Sequence, residues 1–306
     1  MTETHDTIAV IGAGLAGLTA ARRLADAGRT PVVFDKGRGL GGRLATRRTD
    51  HGPYDHGAPG IAVRNEDFAA LVETLVQAGA AAWHDDGKGN DAVGLPGASG
   101  LCKPLAEGLT VNRGVRVGEV ARAGAGWSLA DGEGNALGRF DAVIVAIPAP
   151  QAAELVGAHL PDDAFERVDM APCWTLLAAW EDEVTLPAPG GVFAQIVEQG
   201  SLPDRAPRPR RIAAHADAAW SAENLELDRE AAAKALLAEL DPATPPVHAA
   251  AHRWRYARTA RALGQRCLAT DDGTLLAGGD WALGPEAEHA WESGRAMADA
   301  LLASLR

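Results

Sequence analysis

A short run of small and β-branched residues, Thr7–Ile11, stops at Gly12-Ala13-Gly14-Leu15-Ala16-Gly17, and a helical pattern starts at once. No other stretch restricts the fold as much. In such a turn the first glycine permits the tight bend and the second lets the backbone approach a pyrophosphate. The third lets helix and strand pack closely. Leu15–Ala27 carries apolar residues at Leu15, Leu18, Ala21, Leu24 and Ala25 and ends at Gly28, a natural C-cap. Thr30–Phe34 reads as a second buried strand, so the opening is a β-α-β unit of a parallel sheet. Free N–H groups at Leu15 and Ala16 and the positive end of the helix dipole suit two phosphates. Asp35, 23 positions after Gly12, closes the second strand, where a carboxylate accepts from ribose hydroxyls and disfavours a 2′-phosphate. Strand, helix and acid in register predict dinucleotide binding.

The rest of the chain is read more coarsely. Gly37–Gly60 has no periodicity and is expected to be a long ordered loop; Asp67–Gly79 reads as a helix and His84–Gly100 as loop. Leu101–Glu107 is a short helix broken or started near Pro104, and Val111–Val120 and Trp127–Leu129 read as strands before a turn at Asp131–Gly134. Asp141–Ile147 is nearly all apolar, as a strand buried on both faces would be. After Pro150 the texture becomes antiparallel: strands at Cys173–Trp180, Gly191–Val197, Arg211–Ala216 and His248–Tyr256, with a helix at Asp228–Leu240. Thr274–Leu276 returns to a buried strand, Gly278–Gly284 is a tight loop and Glu288–Leu305 an amphipathic helix. The expected fold is α/β, a Rossmann-like domain with an inserted α+β substrate domain on an antiparallel sheet. Residues 1–64, 100–150 and 268–306 would form the first, and 65–99 and 151–267 the second.

A second glycine turn with a cation, Gly41-Gly42-Arg43, follows Asp35-Lys36 and could close over the pyrophosphate. Asp55-His56-Gly57-Ala58, Gly94–Gly100, His252–Arg258 and Leu276–Trp281 add further motifs. Together these resemble the flavin-containing amine oxidase superfamily, with its glutathione-reductase-like FAD fold, and within it bacterial renalase-like enzymes. The resemblance implies non-covalent FAD with a loop through His56, Gly57 and Ala58 beside the flavin. Gly279 and Asp280 would serve the ribityl–phosphate region, Val117 the adenine, and Ala146 the sheet end that meets the cofactor. Glu288, His289 and Ala290 would begin a helix beneath the flavin pyrimidine, although His289 stands where the family has glycine. The resemblance also implies an oxidase: a small hydride donor, with dihydronicotinamide isomers of NAD(P)H as candidates, reduces flavin that dioxygen reoxidises to peroxide. An amine or C–H oxidase of another small metabolite, or a flavin-binding module without turnover, stays open. Two departures bear on the substrate: Pro59-Gly60-Ile61 replaces an aromatic-containing run, and Gln199–Arg211 is short and proline-rich.

Other features exclude more than they assign. A formal charge of −12 argues against nucleic acid, because phosphate contacts need a basic face. The arginines of Arg205–Arg211 are expected in a solvated loop. Three widely spaced cysteines give neither a disulfide framework nor a metal knuckle and suit a reducing, cytoplasmic setting. The first residues lack a basic n-region, and no run is long and apolar enough to span a membrane. His51 and His56 flank Asp55, and His248 and His252 are four apart, but on a strand that spacing does not gather the rings around a metal. His252, Trp254 and Tyr256 share one strand face, either an aromatic wall for a flat substrate or ordinary core. With Pro59 and Trp281 they make up the candidate pocket. No catalytic acid or base stands out, and the oligomeric state is open.

Overall fold

Thr7–Ile11 sits at the centre of a six-stranded sheet because its side chains are apolar in both directions: Ile8, Ala9 and Val10 are fully buried. The structure, a computed structural model, describes residues 7–84, 91–161, 163–186 and 190–305. Its contacts group into two units, one of Met1–Gly42, Cys102–Asp169 and Thr259–Arg306, the other of Arg43–Leu101 and Met170–Arg258. Residues 43–64 and 100–101, expected with the dinucleotide domain, group with the second unit; residues 151–169 and 259–267 group with the first.

In the first unit the sheet order is Leu268–Ala269, Leu275–Ala277, Ala142–Val145, Thr7–Ile11, Thr30–Asp35, Thr110–Arg113. All neighbours are parallel except the first pair. Helix Leu15–Asp26 lies against helix Ala287–Ser304 so closely that a Cβ on Gly294 would stand 2.3 Å from the Ala16 carbonyl oxygen. The run Val111–Val120, expected as one strand, is two. Thr110–Arg113 joins the parallel sheet, and Gly114 (φ +75°) turns the chain. Val117–Ala123 then starts an antiparallel meander with Gly126–Asp131 and Ala136–Phe140. Helix Ala149–Val156 was not anticipated, and the expected loop Gly278–Gly284 contains a helical turn, Asp280–Leu283.

The second unit is built on the four strands Phe193–Glu198, Arg210–Ala216, Asp169–Trp180 and His248–Arg261, in that order. One face of the sheet packs Trp174, Leu176, Ala178, Ile212 and Ala214 against Ala232, Leu236 and Leu240 of helix Arg229–Leu240. The Asp228 side chain caps that helix, accepting from the Ala231 N–H at 2.8 Å. Arg253 and Arg255 point to the same side, bonding the Leu225 carbonyl and Glu226, so His252, Trp254 and Tyr256 take the other face by alternation. The expected loop 37–60 holds a hairpin, Thr46–Thr49 with Gly52–Asp55. Its sequences TRRT and GPYD lack an apolar alternation, and its anchor is Tyr54, fully buried with Leu177 and Ala213. Ala81–His84, Asp91–Gly94 and Ile61–Ala62 form a further small sheet where loop was expected from His84, residues 85–90 lying outside the described ones.

The arginine-rich segment is the clearest correction. Arg205 and Arg211 are buried, not solvated. Arg205 donates to Asp55 at 2.6 Å, with both side chains almost wholly excluded from water, and to the Gly94 carbonyl at 2.9 Å. The other Asp55 oxygen accepts from Thr46 Oγ1 and the Ala98 N–H. Arg211 donates to the carbonyls of Pro53, Ala206 and Pro209. Proline fixes the loop so that its carbonyls converge on a guanidinium, a property of the folded backbone and not of composition.

Breaking a buried pair strands a charge in low dielectric and costs about 3–5 kcal/mol, whereas exposed pairs contribute roughly 0–1 kcal/mol. Asp55→Ala should therefore lower the unfolding free energy in guanidinium titrations by several-fold more than Asp299→Ala, which removes the exposed partner of Arg23. Equal losses would show that the buried pair has no such role.

Candidate functional site

The glycine turn in the first unit is a cradle with one closed side and one open side. Gly12 has φ +110°, and a Cβ there would meet the Ala146 carbonyl oxygen at 2.4 Å. A Cβ on Gly17 would stand 1.9 Å from the Gly12 carbonyl oxygen, so this glycine is what lets helix Leu15–Asp26 approach its strand. Gly14 differs: a Cβ there meets nothing within 4 Å. It caps the helix with no side-chain bond, and the first turn carries no acid. The N–H groups at this helix start are thus left without a side-chain cap or a first-turn acid among the described residues. Gly41 bridges to Gly14, its N–H donating to the Ala13 carbonyl at 2.9 Å, and Gly42 (φ +56°) lies against the Gly14 Cα.

Asp35 accepts from the Ala13 N–H at 2.6 Å and the Gly37 N–H at 2.5 Å. Each oxygen keeps a lone pair for a ribose hydroxyl while the protein bonds hold the carboxylate in place. Lys36 beside it is exposed. Ala146 continues the sheet end, its N–H donating to Ile11, and Val117 is buried at the start of the meander. Gly279 (φ +152°) donates its N–H to Ser293 Oγ at 2.9 Å, and buried Asp280 accepts from Thr259 Oγ1 at 2.8 Å. At the start of helix Ala287–Ser304, His289 closes a capping box: its Nδ1 accepts from the Glu286 N–H at 3.1 Å, and Glu286 accepts from the third-position backbone N–H. The residue replacing the expected glycine is a cap, and it leaves fewer free donors at a start that also holds buried Glu288 and half-buried Ala290. Trp281 does not line an open pocket. It is fully buried, donates Nε1–H to the Ile147 carbonyl at 3.0 Å and packs on Phe165.

The second unit holds the other candidates. Arg43 donates to the Ala257 carbonyl at 3.2 Å, and its own carbonyl accepts from the Ala58 N–H at 2.9 Å. A Cβ on Gly57 would meet that Arg43 carbonyl at 1.9 Å and Trp254 at 3.4 Å. The glycine therefore admits the Arg43 carbonyl, with the indole in ordinary contact beside it. Trp254 donates Nε1–H to the His56 carbonyl at 2.9 Å; Thr175 Oγ1 lies 3.3 Å from the same oxygen and 3.2 Å from His215 Nδ1. His56 and His252 meet edge to face at 4.6 Å, and His51 stacks on His248 at 5.0 Å. Sequence reasoning missed His215 and Thr175, which adjoin only across paired strands. Pro59 and Tyr256 are half-buried. Among the described residues no group of three or more His, Cys, Asp or Glu is placed to hold a metal.

Burial is the main cause that lowers the imidazoles of His56, His215 and His252 and favours their neutral form. His215 falls to about 4 through burial and then His56, and His252 to about 3 through burial, His56, Arg229 and Arg47. His56 is lowered by burial although the Ala45 and Tyr54 carbonyls oppose it. Burial also pushes the thiol of Cys102 up to about 12 and that of Cys173 to about 11.

Residues 10–75 match the model of an NAD(P)-binding Rossmann-like domain, and residues 77–302 match that of flavin containing amine oxidoreductase. The second match spans well over half of the chain. The chain belongs to the flavin-containing amine oxidoreductase family. Its cofactor is FAD. A 47-residue segment is 47% identical to a 15-cis-phytoene desaturase of Synechococcus elongatus, covering 15% of this chain and 10% of that protein. Another of 66 residues is 39% identical to a 4,4′-diapophytoene desaturase of Staphylococcus haemolyticus, covering 22% and 13%. The chain thus matches only about a tenth of these relatives' length. A solved protein assigned as a protoporphyrinogen oxidase from Exiguobacterium sp. superposes with TM-score 0.79 at 13% identity over 99% of both chains. A putrescine oxidase variant gives 0.72 at 14%, over 97% of this chain and 99% of its own. At such identities the likeness is one of fold.

Two outcomes follow. Gly14→Val fits the empty side of the turn but occupies the approach to the helix N–H groups, so the protein should fold with an unchanged apo melting temperature and lose its flavin absorbance. Gly17→Val should instead fail to fold, as a 1.9 Å contact requires. The depressed imidazoles fix a sign in pH. Between about 4 and 6.5 the unfolded chain binds a proton that folded His215 refuses, so stability is full above pH 6.5 and falls on acidification through that window. The loss is on the order of 3 kcal/mol for this histidine, and His215→Gln should flatten that part of the stability–pH curve.

Proposed function

We propose that this protein is an FAD-dependent oxidase that takes a hydride from a small planar donor and returns the electrons to dioxygen as peroxide. The supporting observation is the open Gly14 side of an uncapped helix start, flanked by Gly41–Gly42 and the backbone-anchored Asp35. It fits a diphosphate bearing a ribose, as family membership requires. In this reading the backbones of Gly12, Gly14, Leu15, Ala16, Gly41 and Gly42 hold the phosphates, Asp35 the adenosine ribose, and Asp280 the ribityl end. The bound flavin supplies a two-electron acceptor.

The remaining work falls to the second unit's sheet face. Cys173, Thr175, His215, His252, Trp254 and Tyr256 include no carboxylate or lysine, and the imidazoles are poor bases. These side chains bind, orient and exclude water, which is what hydride transfer asks of its surroundings. The renalase-like motifs make dihydronicotinamide isomers the first donors to try; oxidation of an amine is the alternative within the family. The three cysteines are free thiols whose burial opposes ionisation, which supports dissociable FAD.

The purified protein should be yellow, and acid precipitation should leave the colour in solution. Anaerobic mixing with 2- and 6-dihydronicotinamide dinucleotides should bleach the flavin band, and air should restore it with one peroxide per flavin. A band that neither donor bleaches ends the proposal as stated.

A further inference from the structure

The second unit's sheet face carries a corner that the cofactor reading leaves unused. Trp254 is half-buried, and its one polar atom is committed to the His56 carbonyl, so what the indole still offers is its π-face, held in a fixed orientation. His252 sits beside it, ring centroids 4.4 Å apart at 60°, and is pinned from behind by the edge-to-face His56 ring. Unlike the Trp254 indole, the His252 imidazole makes no hydrogen bond among the described residues, and the residue is only half-buried. A neutral imidazole has one N–H donor and one lone-pair acceptor. Both are therefore available next to a fixed aromatic wall. Behind the corner, buried His56 Nδ1 and His215 Nε2 also lack partners among the described residues.

The charges around this corner are one-sided. Arg47 and Arg229 both act on His252; of the two carboxylates in the neighbouring hairpin, Asp55 is consumed by Arg205, and Asp50, in the turn, acts on His248. An ammonium placed beside His252 would meet the like charge of Arg47 and Arg229, and no carboxylate among the described residues acts on that imidazole; an uncharged amide would meet one donor and one acceptor.

We infer that His252 and Trp254 form the recognition corner for an uncharged planar ring bearing a carboxamide-type group, the ring lying on the indole and the amide on the imidazole. His252 is then a specificity residue that selects against aliphatic ammonium donors. The inference deepens the proposed function and rests on its assignment of this sheet face to the substrate.

Two probes test it on the FAD-loaded protein: nicotinamide, neutral and planar, and putrescine, a dication. Binding is read from perturbation of the flavin absorbance and from imidazole resonances of ¹⁵N-histidine-labelled protein. Nicotinamide should bind at least about tenfold more tightly than putrescine, the worth of one hydrogen bond. His252→Phe, which keeps a ring but no nitrogens, should lose about that factor, and His252→Gln, with one donor and one acceptor, should restore most of it. His252→Asp should invert the preference. Equal binding of the probes, no binding of either up to saturation, or an unchanged affinity in His252→Phe overturns the inference. The flavin content of each variant and its bleaching by dihydronicotinamides are measured alongside. Intact bleaching with unchanged affinity in His252→Phe sinks this inference alone, whereas loss of bleaching in the unmodified protein sinks the reading beneath it.

Discussion

Helix Leu15–Asp26 comes so close to the turn before it that no side chain fits between Gly17 and the Gly12 carbonyl, and the rest of the first unit follows from that approach. It fixes where the helix axis starts, hence where its unsatisfied N–H groups point. The same intimacy recurs on the far side, where Gly294 meets the Ala16 carbonyl and brings helix Ala287–Ser304 against the first helix. The close backbone contacts at Gly12, Gly17 and Gly294 leave no room for a Cβ, whereas within the turn a Cβ on Gly14 would meet nothing within 4 Å. That asymmetry separates glycines that serve packing from one that packing does not require.

The second unit solves a different problem. Its sheet buries one face against helices by ordinary apolar packing, while the other carries histidines, a threonine and a cysteine. Such a face is stable only if the imidazoles stay neutral, which burial favours for His215 and which burial with Arg47 and Arg229 nearby favours for His252. The hairpin that covers part of it is held by polar means: Asp55 gathers Arg205, Thr46 and the Ala98 N–H. Gly97 lies so near Thr46 that a Cβ would stand 2.4 Å from its hydroxyl. The departure at Gln199–Arg211 belongs to this network, since Gln199 Oε1 accepts from the Asp55 N–H at 2.6 Å. The proline-rich segment is an internal brace for the hairpin.

Local periodicity made the N-terminal β-α-β unit, the helix at Glu66–Gln77 and the central strand Ala142–Val145 legible, because each buries a face that the residues themselves declare. Hairpin Thr46–Asp55 was not legible. Its strands are polar, and what holds them is one tyrosine and one ion pair whose partners lie more than a hundred residues away. Trp281 shows the converse: its neighbour Asp280 suggested a pocket, but the indole turns into the core, where the Ile147 carbonyl takes its proton.

The amino-acid order alone determined the glycine turn, the acid that follows it and the two chemical textures of the chain, because these depend on residues adjacent or in register along it. Which arginines are buried, which histidines lose their protons and which glycine faces open space were decided by tertiary structure. Each is a matter of what stands within a few ångströms across the chain, and that distance is set only when strands pair and helices pack.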